Sequence, residues 1–110
     1  MLLPRDVLAK CVEENLESYK FYFNGQKIPI TSVHRRKIAT CYKERTGKSI
    51  NNFTVILLSV ITVARKLKYK YVVKWRRNKS RPSIFLFVNE EELKLLKQYL
   101  RGKKVDIYEV

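Results

Sequence analysis

The sequence predicts an α+β domain in the order helix, short strand, two helices, β-hairpin, C-terminal helix, and three observations carry that expectation. Apolar residues recur at spacings of three and four in four separate stretches. Between Tyr69 and Val88 the spacing changes to two. Turn and cap residues such as Asn24-Gly25, Gly47 and Asn89 stand at the borders between these stretches. With 110 residues, 45% of them hydrophobic, the chain is the size of one domain with a modest core, residues 103–110 forming a short C-terminal extension.

In chain order, Pro4 suits the first turn of a helix, and Val7, Leu8, Cys11, Val12, Leu16 and Tyr19 follow on one face. The aromatic run Tyr19 to Phe23 leads into the turn pair Asn24-Gly25. Ile28-Pro29-Ile30 then reads as a short strand, placed at an edge because proline cannot donate to a neighbour. Thr31 or Ser32 can cap a second helix with Val33, Ile38, Cys41 and Tyr42 as its stripe and Gly47 as its stop. Ser49 or Asn51 can cap a third after a tight connection. Its apolar face runs unbroken from Ile50 to Leu67, which is too long for the strand that its β-branched residues would otherwise suggest. In the hairpin, Tyr69, Tyr71, Val73 and Trp75 point one way and Lys70, Val72, Lys74 and Arg76 the other. Ser83 to Val88 returns as the second strand after a polar turn. Asn89 caps a last helix whose opening Glu90, Glu91 and Glu92 complement the helix dipole, and Gly102 stops it.

The net charge of +14 calls for a polyanionic partner. Its distribution is sharper than its size: residues 27 to 89 hold 16 basic residues and one acid, Glu44, while the flanks hold 8 basic and 9 acidic residues. A surface charged only for solubility would spread the excess. Cys11 and Cys41 are expected as two buried thiols, one disulfide being the other arrangement open to them; with His34 the only histidine, no four-ligand zinc set exists. The opening Met-Leu-Leu-Pro-Arg-Asp is too short for a secretory core, and Phe53 to Ala64 falls short of the roughly 20 apolar residues that span a bilayer. The protein is therefore expected inside the cell, cytoplasmic or nucleoid-associated, away from membranes.

Element order and charge placement over residues 4 to 101 resemble the winged helix-turn-helix DNA-binding proteins of the small archaeal or archaeal-virus type. Abundant Ile, Val, Lys and Tyr with only two Gln point to a thermophile. The resemblance implies that the third helix enters a major groove and that the hairpin is a wing touching the backbone nearby. On the third helix the implied contacts are Asn51, Asn52, Ser59 and Thr62, with the Val55 methyls able to meet a thymine methyl and Arg65 and Lys66 on the same face, although this face also holds Leu58 and is less basic than a usual reading helix. The wing would bring Lys70, Lys74, Arg76, Arg77, Lys79 and Arg81 together on phosphates. Arg35, Arg36 and Lys37 at the start of the second helix, and Lys48 before the third, complete the expected nucleic-acid-binding set.

Enzymatic chemistry has little to stand on, and neither a catalytic residue, a cofactor nor a metal is expected. His34 has no second histidine, and Thr46-Gly47-Lys48-Ser49 ends like a phosphate loop but has Tyr42 where the upstream glycine belongs. Duplex DNA is the expected partner, in transcriptional regulation or as a replication or packaging accessory. RNA or single-strand binding, a protein-interaction module and a nuclease are the alternatives. A homodimer through the C-terminal helix is also expected, because Leu93, Leu96 and Leu100 form one stripe and Leu95 and Tyr99 a second beside it.

Overall fold

The computed structural model describes residues 3–76, 78, 80–101, 103 and 105–110. Four helices and five strands follow in the order α1 (Pro4–Glu14), β1 (Glu17–Phe23), β2 (Gln26–His34), α2 (Arg35–Thr46), α3 (Phe53–Lys66), β3 (Tyr71–Trp75), β4 (Ile84–Val88), α4 (Glu90–Tyr99) and β5 (Val105–Glu109). All strand pairings are antiparallel, in one sheet ordered β1-β2-β4-β3-β5.

This architecture corrects the expected element order. The aromatic run before Asn24-Gly25 is a full strand, β1, paired with β2 from Glu17↔Ser32 to Phe23↔Gln26. Asn24 and Gly25 both take positive φ, 46° and 79°, as a two-residue hairpin turn matched to strand twist requires. Pro29 is tolerated because β2 borders only β1 there; β4 joins it from Thr31 to His34. Those same pairs keep Thr31 and Ser32 in the strand, so the residue before α2 is His34, and neither hydroxyl caps the helix. The terminal extension is β5, the sheet's edge beside β3.

The expected wing is corrected as well. The β3–β4 hairpin lies inside the sheet, and every residue of β4 is buried. Phe85 and Phe87 face α1, α2 and α3 with Val33 and Val72, while Ile84, Leu86 and Val88 face α4 with Phe21, Ile30, Val73 and Trp75. A strand covered on both sides reads as a continuous apolar run, as Ile84 to Val88 does. Nor do α2 and α3 form a tight helix-turn-helix: residues 47–52 separate them, and α1 packs against both.

Local signals hold at most borders. Gly47 ends α2 in the left-handed region at φ 74°, whereas α3 is capped not by Ser49 or Asn51 but by Asn52, whose Oδ1 accepts from the Val55 amide at 3.2 Å. Glu92 Oε1 accepts from the Asn89 amide at 3.1 Å at the start of α4. A disulfide joins Cys11 of α1 to Cys41 of α2, with Cα atoms 5.7 Å apart, correcting the expectation of two thiols. Disulfides belong to oxidising compartments and, inside cells, to hyperthermophiles. Among the described residues no helix is long and apolar enough to cross a membrane.

On α4, Leu93, Leu96 and Leu100 are buried against the sheet, and Leu95 is half-buried. Tyr99 is 41% exposed yet packs edge-on against Phe21 and Phe23 of β1. One side of the Tyr99 ring is thus taken up within the monomer, where α4 reaches across to β1.

Candidate nucleic-acid interface

The sheet's α4 face is not covered to its end. His34, Ile84 and Trp75 stand side by side across β2, β4 and β3, being paired in register as His34↔Ile84 and Trp75↔Ile84. Tyr19 of β1 lies on the same face and meets Trp75 edge-on at 5.7 Å between ring centroids. Beyond them the chain turns into α2 on one side and into the β3–β4 connection on the other. A cleft of about 370 Å³ results, lined by Tyr19, His34, Trp75 and Ile84 together with Arg36 and Lys37 from α2 and Ser80, Arg81 and Pro82 from the connection. Among the described residues no carboxylate lines it.

Two polar atoms at this end are buried without a hydrogen-bond partner among the described residues, the indole Nε1 of Trp75 and the hydroxyl of Ser83. Nearby, the Arg35 amide donates to the Ser83 carbonyl at 3.0 Å, joining the start of α2 to β4. His34 makes no side-chain bond to the first turn of α2, whose amides have no intrahelical acceptor. Lys103 places Nζ 5.7 Å from the Trp75 ring centre and 5.8 Å from that of Tyr99.

The expected contact residues separate into groups. Arg36, Lys37 and Arg81 meet in the cleft. Arg35 and Lys74 instead flank the Phe53 ring at 5.3 Å and 4.6 Å, Arg35 also donating to the Asn51 carbonyl at 3.2 Å. Lys70 sits at the opposite end of the hairpin, beside Asn89 and the glutamates that open α4. Arg76 is exposed where β3 ends, and Lys48 is exposed between α2 and α3. Arg77 and Lys79 lie outside the described residues. The expected single cluster of six wing cations is therefore not formed by Lys70, Lys74, Arg76 and Arg81, since β3 spreads the first two along the sheet.

On α3, Ser59 is buried and its hydroxyl donates to the Val55 carbonyl, so it leaves the surface set. Asn52 is occupied as a cap, and the Thr62 hydroxyl donates to Leu58 O at 2.8 Å. Val55 and Leu58 remain exposed on that helix. Its outer face is thus more apolar than a base-reading surface requires.

The acidic flanks fold back onto the basic segment. Glu17 pairs with Lys37 and lies 3.8 Å from His34, Glu14 pairs with Arg45, Glu13 with Lys66 at 2.9 Å and Asp106 with Lys74 at 3.0 Å. Such exposed pairs are worth about 0–1 kcal/mol each in stability, but each cancels a charge locally. Arg36 and Arg81 have no carboxylate within 4.0 Å among the described residues. Also among the described residues, no group of three His, Cys, Asp or Glu could hold a metal ion.

Sequence reasoning missed Tyr19 and Lys103, and it weighed His34 both in the basic run that opens α2 and as a catalytic candidate. Tyr19 carries no motif, and its nearness to Trp75 follows from strand order alone. No family model, curated protein or solved structure matches this chain.

Proposed function

We propose that the protein binds nucleic acid, with its contact surface at the cleft end of the sheet and not on the outer face of α3. The observation that supports this reading is the meeting of Arg36, Lys37 and Arg81, from segments far apart in sequence, around a cleft lined by no acid. Cations in that arrangement neutralise phosphates and release counterions, which provides affinity without reading bases. Arg76 and Lys103 add charge beside it.

Duplex DNA is the partner that the total charge favours, in a regulatory or packaging role. A specific observation favours single strands as a second reading: the same cleft is lined by Tyr19 and Trp75, and aromatic rings beside cations suit unstacked bases. Anisotropy titrations with duplex DNA, single-stranded DNA and double-stranded RNA over a range of salt test both readings. About four to six neutralised phosphates give a log-log salt slope of roughly −3.5 to −5.5. A slope near zero for all three would refute the proposal, and the rank of the three partners selects between the readings.

A further inference from the structure

The cleft has a chemistry narrower than general attraction to phosphate. Its charged lining is cationic throughout, and its floor holds a tryptophan that is 3% exposed and whose indole N–H has no acceptor among the described residues. A buried donor left unpaired is costly, so a ligand oxygen that reaches it gains more than one held at the surface. The first-turn amides of α2 belong to Arg36 and Lys37, both lining residues, and this 12-residue helix adds the positive end of its dipole. These groups ask for an oxyanion of more than one charge.

An internal phosphodiester carries one negative charge, whereas a phosphate monoester carries about −1.5 to −2 at pH 7. At about 370 Å³ the cleft is within the range of small-molecule pockets and far too small for a duplex, and the half-buried Tyr19 ring lies beside the cations. We propose that the cleft binds a phosphate monoester carried on an unpaired nucleoside, the phosphate lying among Arg36, Arg81, the Trp75 N–H and the α2 amides, and the base against Tyr19. This deepens the nucleic-acid reading and rests on it for the source of the ligand, a strand end; a free nucleoside monophosphate shares the same chemistry. Lys37 is the lesser contributor, because Glu17 already pairs with it.

The test compares single strands of one sequence ending in a 5′-phosphate, a 3′-phosphate or a hydroxyl, with a nucleoside monophosphate and inorganic phosphate as competitors. Trp75 is the only tryptophan, so intrinsic fluorescence reports on the cleft without a label. A phosphorylated end is expected to bind about ten-fold tighter or more than the hydroxyl end. Arg36→Ala with Arg81→Ala should bring that ratio close to one, with the hydroxyl-ended strand bound more weakly and with a salt slope flatter by roughly 2. Trp75→Phe, which keeps a ring in the core but loses the donor, should lower the ratio in the anisotropy assay. Full competition by the monophosphate, with a change in Trp75 emission, supports the site and identifies free nucleotides as its source. Equal affinity for all ends, with no response of Trp75 to the monophosphate, overturns the proposal. If no strand binds at any salt while the monophosphate still does, the nucleic-acid reading fails and the cleft assignment stands.

Discussion

The two faces of the sheet share every strand yet are built to different ends. On one, α1, α2 and α3 cover Val33, Val72, Phe85 and Phe87, and a disulfide ties α1 to α2. On the other, α4 alone covers Leu86 and Val88, and its reach stops short of the row formed by His34, Ile84 and Trp75. Three helices seal the middle of their face, leaving only its β1 margin at Ser18, Lys20 and Tyr22 exposed, whereas one helix leaves the cleft end of the other face open. The unfinished end is where an indole donor and two arginines collect that have no partner among the described residues, so the proposed binding surface and the closed core lie on opposite faces of the same β4 strand.

The largest effects should come from the closed face. Phe85→Ala is expected to cost about 3–5 kcal/mol, because a fully buried ring leaves a cavity that three helices cannot collapse into. Ile84→Ala, one residue along but at the cleft, should cost about 2 kcal/mol, the low end for a buried aliphatic. Equal losses in urea unfolding would break the contrast between the faces. Next, Cys11→Ser with Cys41→Ser opens a link across a sequence separation of 30 and should cost roughly 3–4 kcal/mol on the chain-entropy argument. Denaturant midpoints measured with and without a reductant check this, and a wild type insensitive to reduction would refute it.

Smaller effects should mark the open end. Arg36→Ala with Arg81→Ala is expected to change stability by no more than about 0.5 kcal/mol, both residues being exposed and without a carboxylate partner among the described residues. The same variant should flatten the nucleic-acid salt slope by roughly 2. A large stability loss with an unchanged slope would make these arginines structural. The smallest effect concerns Tyr71, whose hydroxyl donates to Glu90 Oε1 at 2.6 Å. That hydrogen bond, then burial and the charges of Glu90 and Glu109, hold its pKa above the ordinary tyrosine value. A folded pKa raised above the unfolded value stabilises the fold fully below about pH 10 and is lost as pH rises through the folded value. Wild type should therefore lose slightly more stability than Tyr71→Phe above pH 10, measured by urea unfolding, and parallel curves would remove the hydrogen bond from the argument.

Short-range chemistry was legible in the chain. The turn at Asn24-Gly25, the stop at Gly47, the proline start at Pro4 and the long face of α3 each depend on a few neighbouring residues, and each takes its expected form. Capping was legible in kind but not always in place: α2 begins at Arg35 because pairing of β2 with β4 outcompetes a Thr31 or Ser32 cap. The positive face was overstated by counting along the sequence. Glu13 reaches Lys66 and Asp106 reaches Lys74 only once the helices and strands have packed, so part of the basic segment is neutralised by residues remote from it.

The sequence by itself determined that four helices and a central hairpin form, that the middle of the chain is cationic and that Ile84 to Val88 is apolar throughout. Periodicity, caps and composition act within one or two turns of chain. Tertiary structure alone decided that β4 enters between β2 and β3, that β1 and β5 widen the sheet, that Cys11 meets Cys41, and that Tyr19, Trp75, Arg36 and Arg81 share one cleft. Those outcomes depend on which buried faces can be covered at once, a condition on the whole chain that no local pattern encodes.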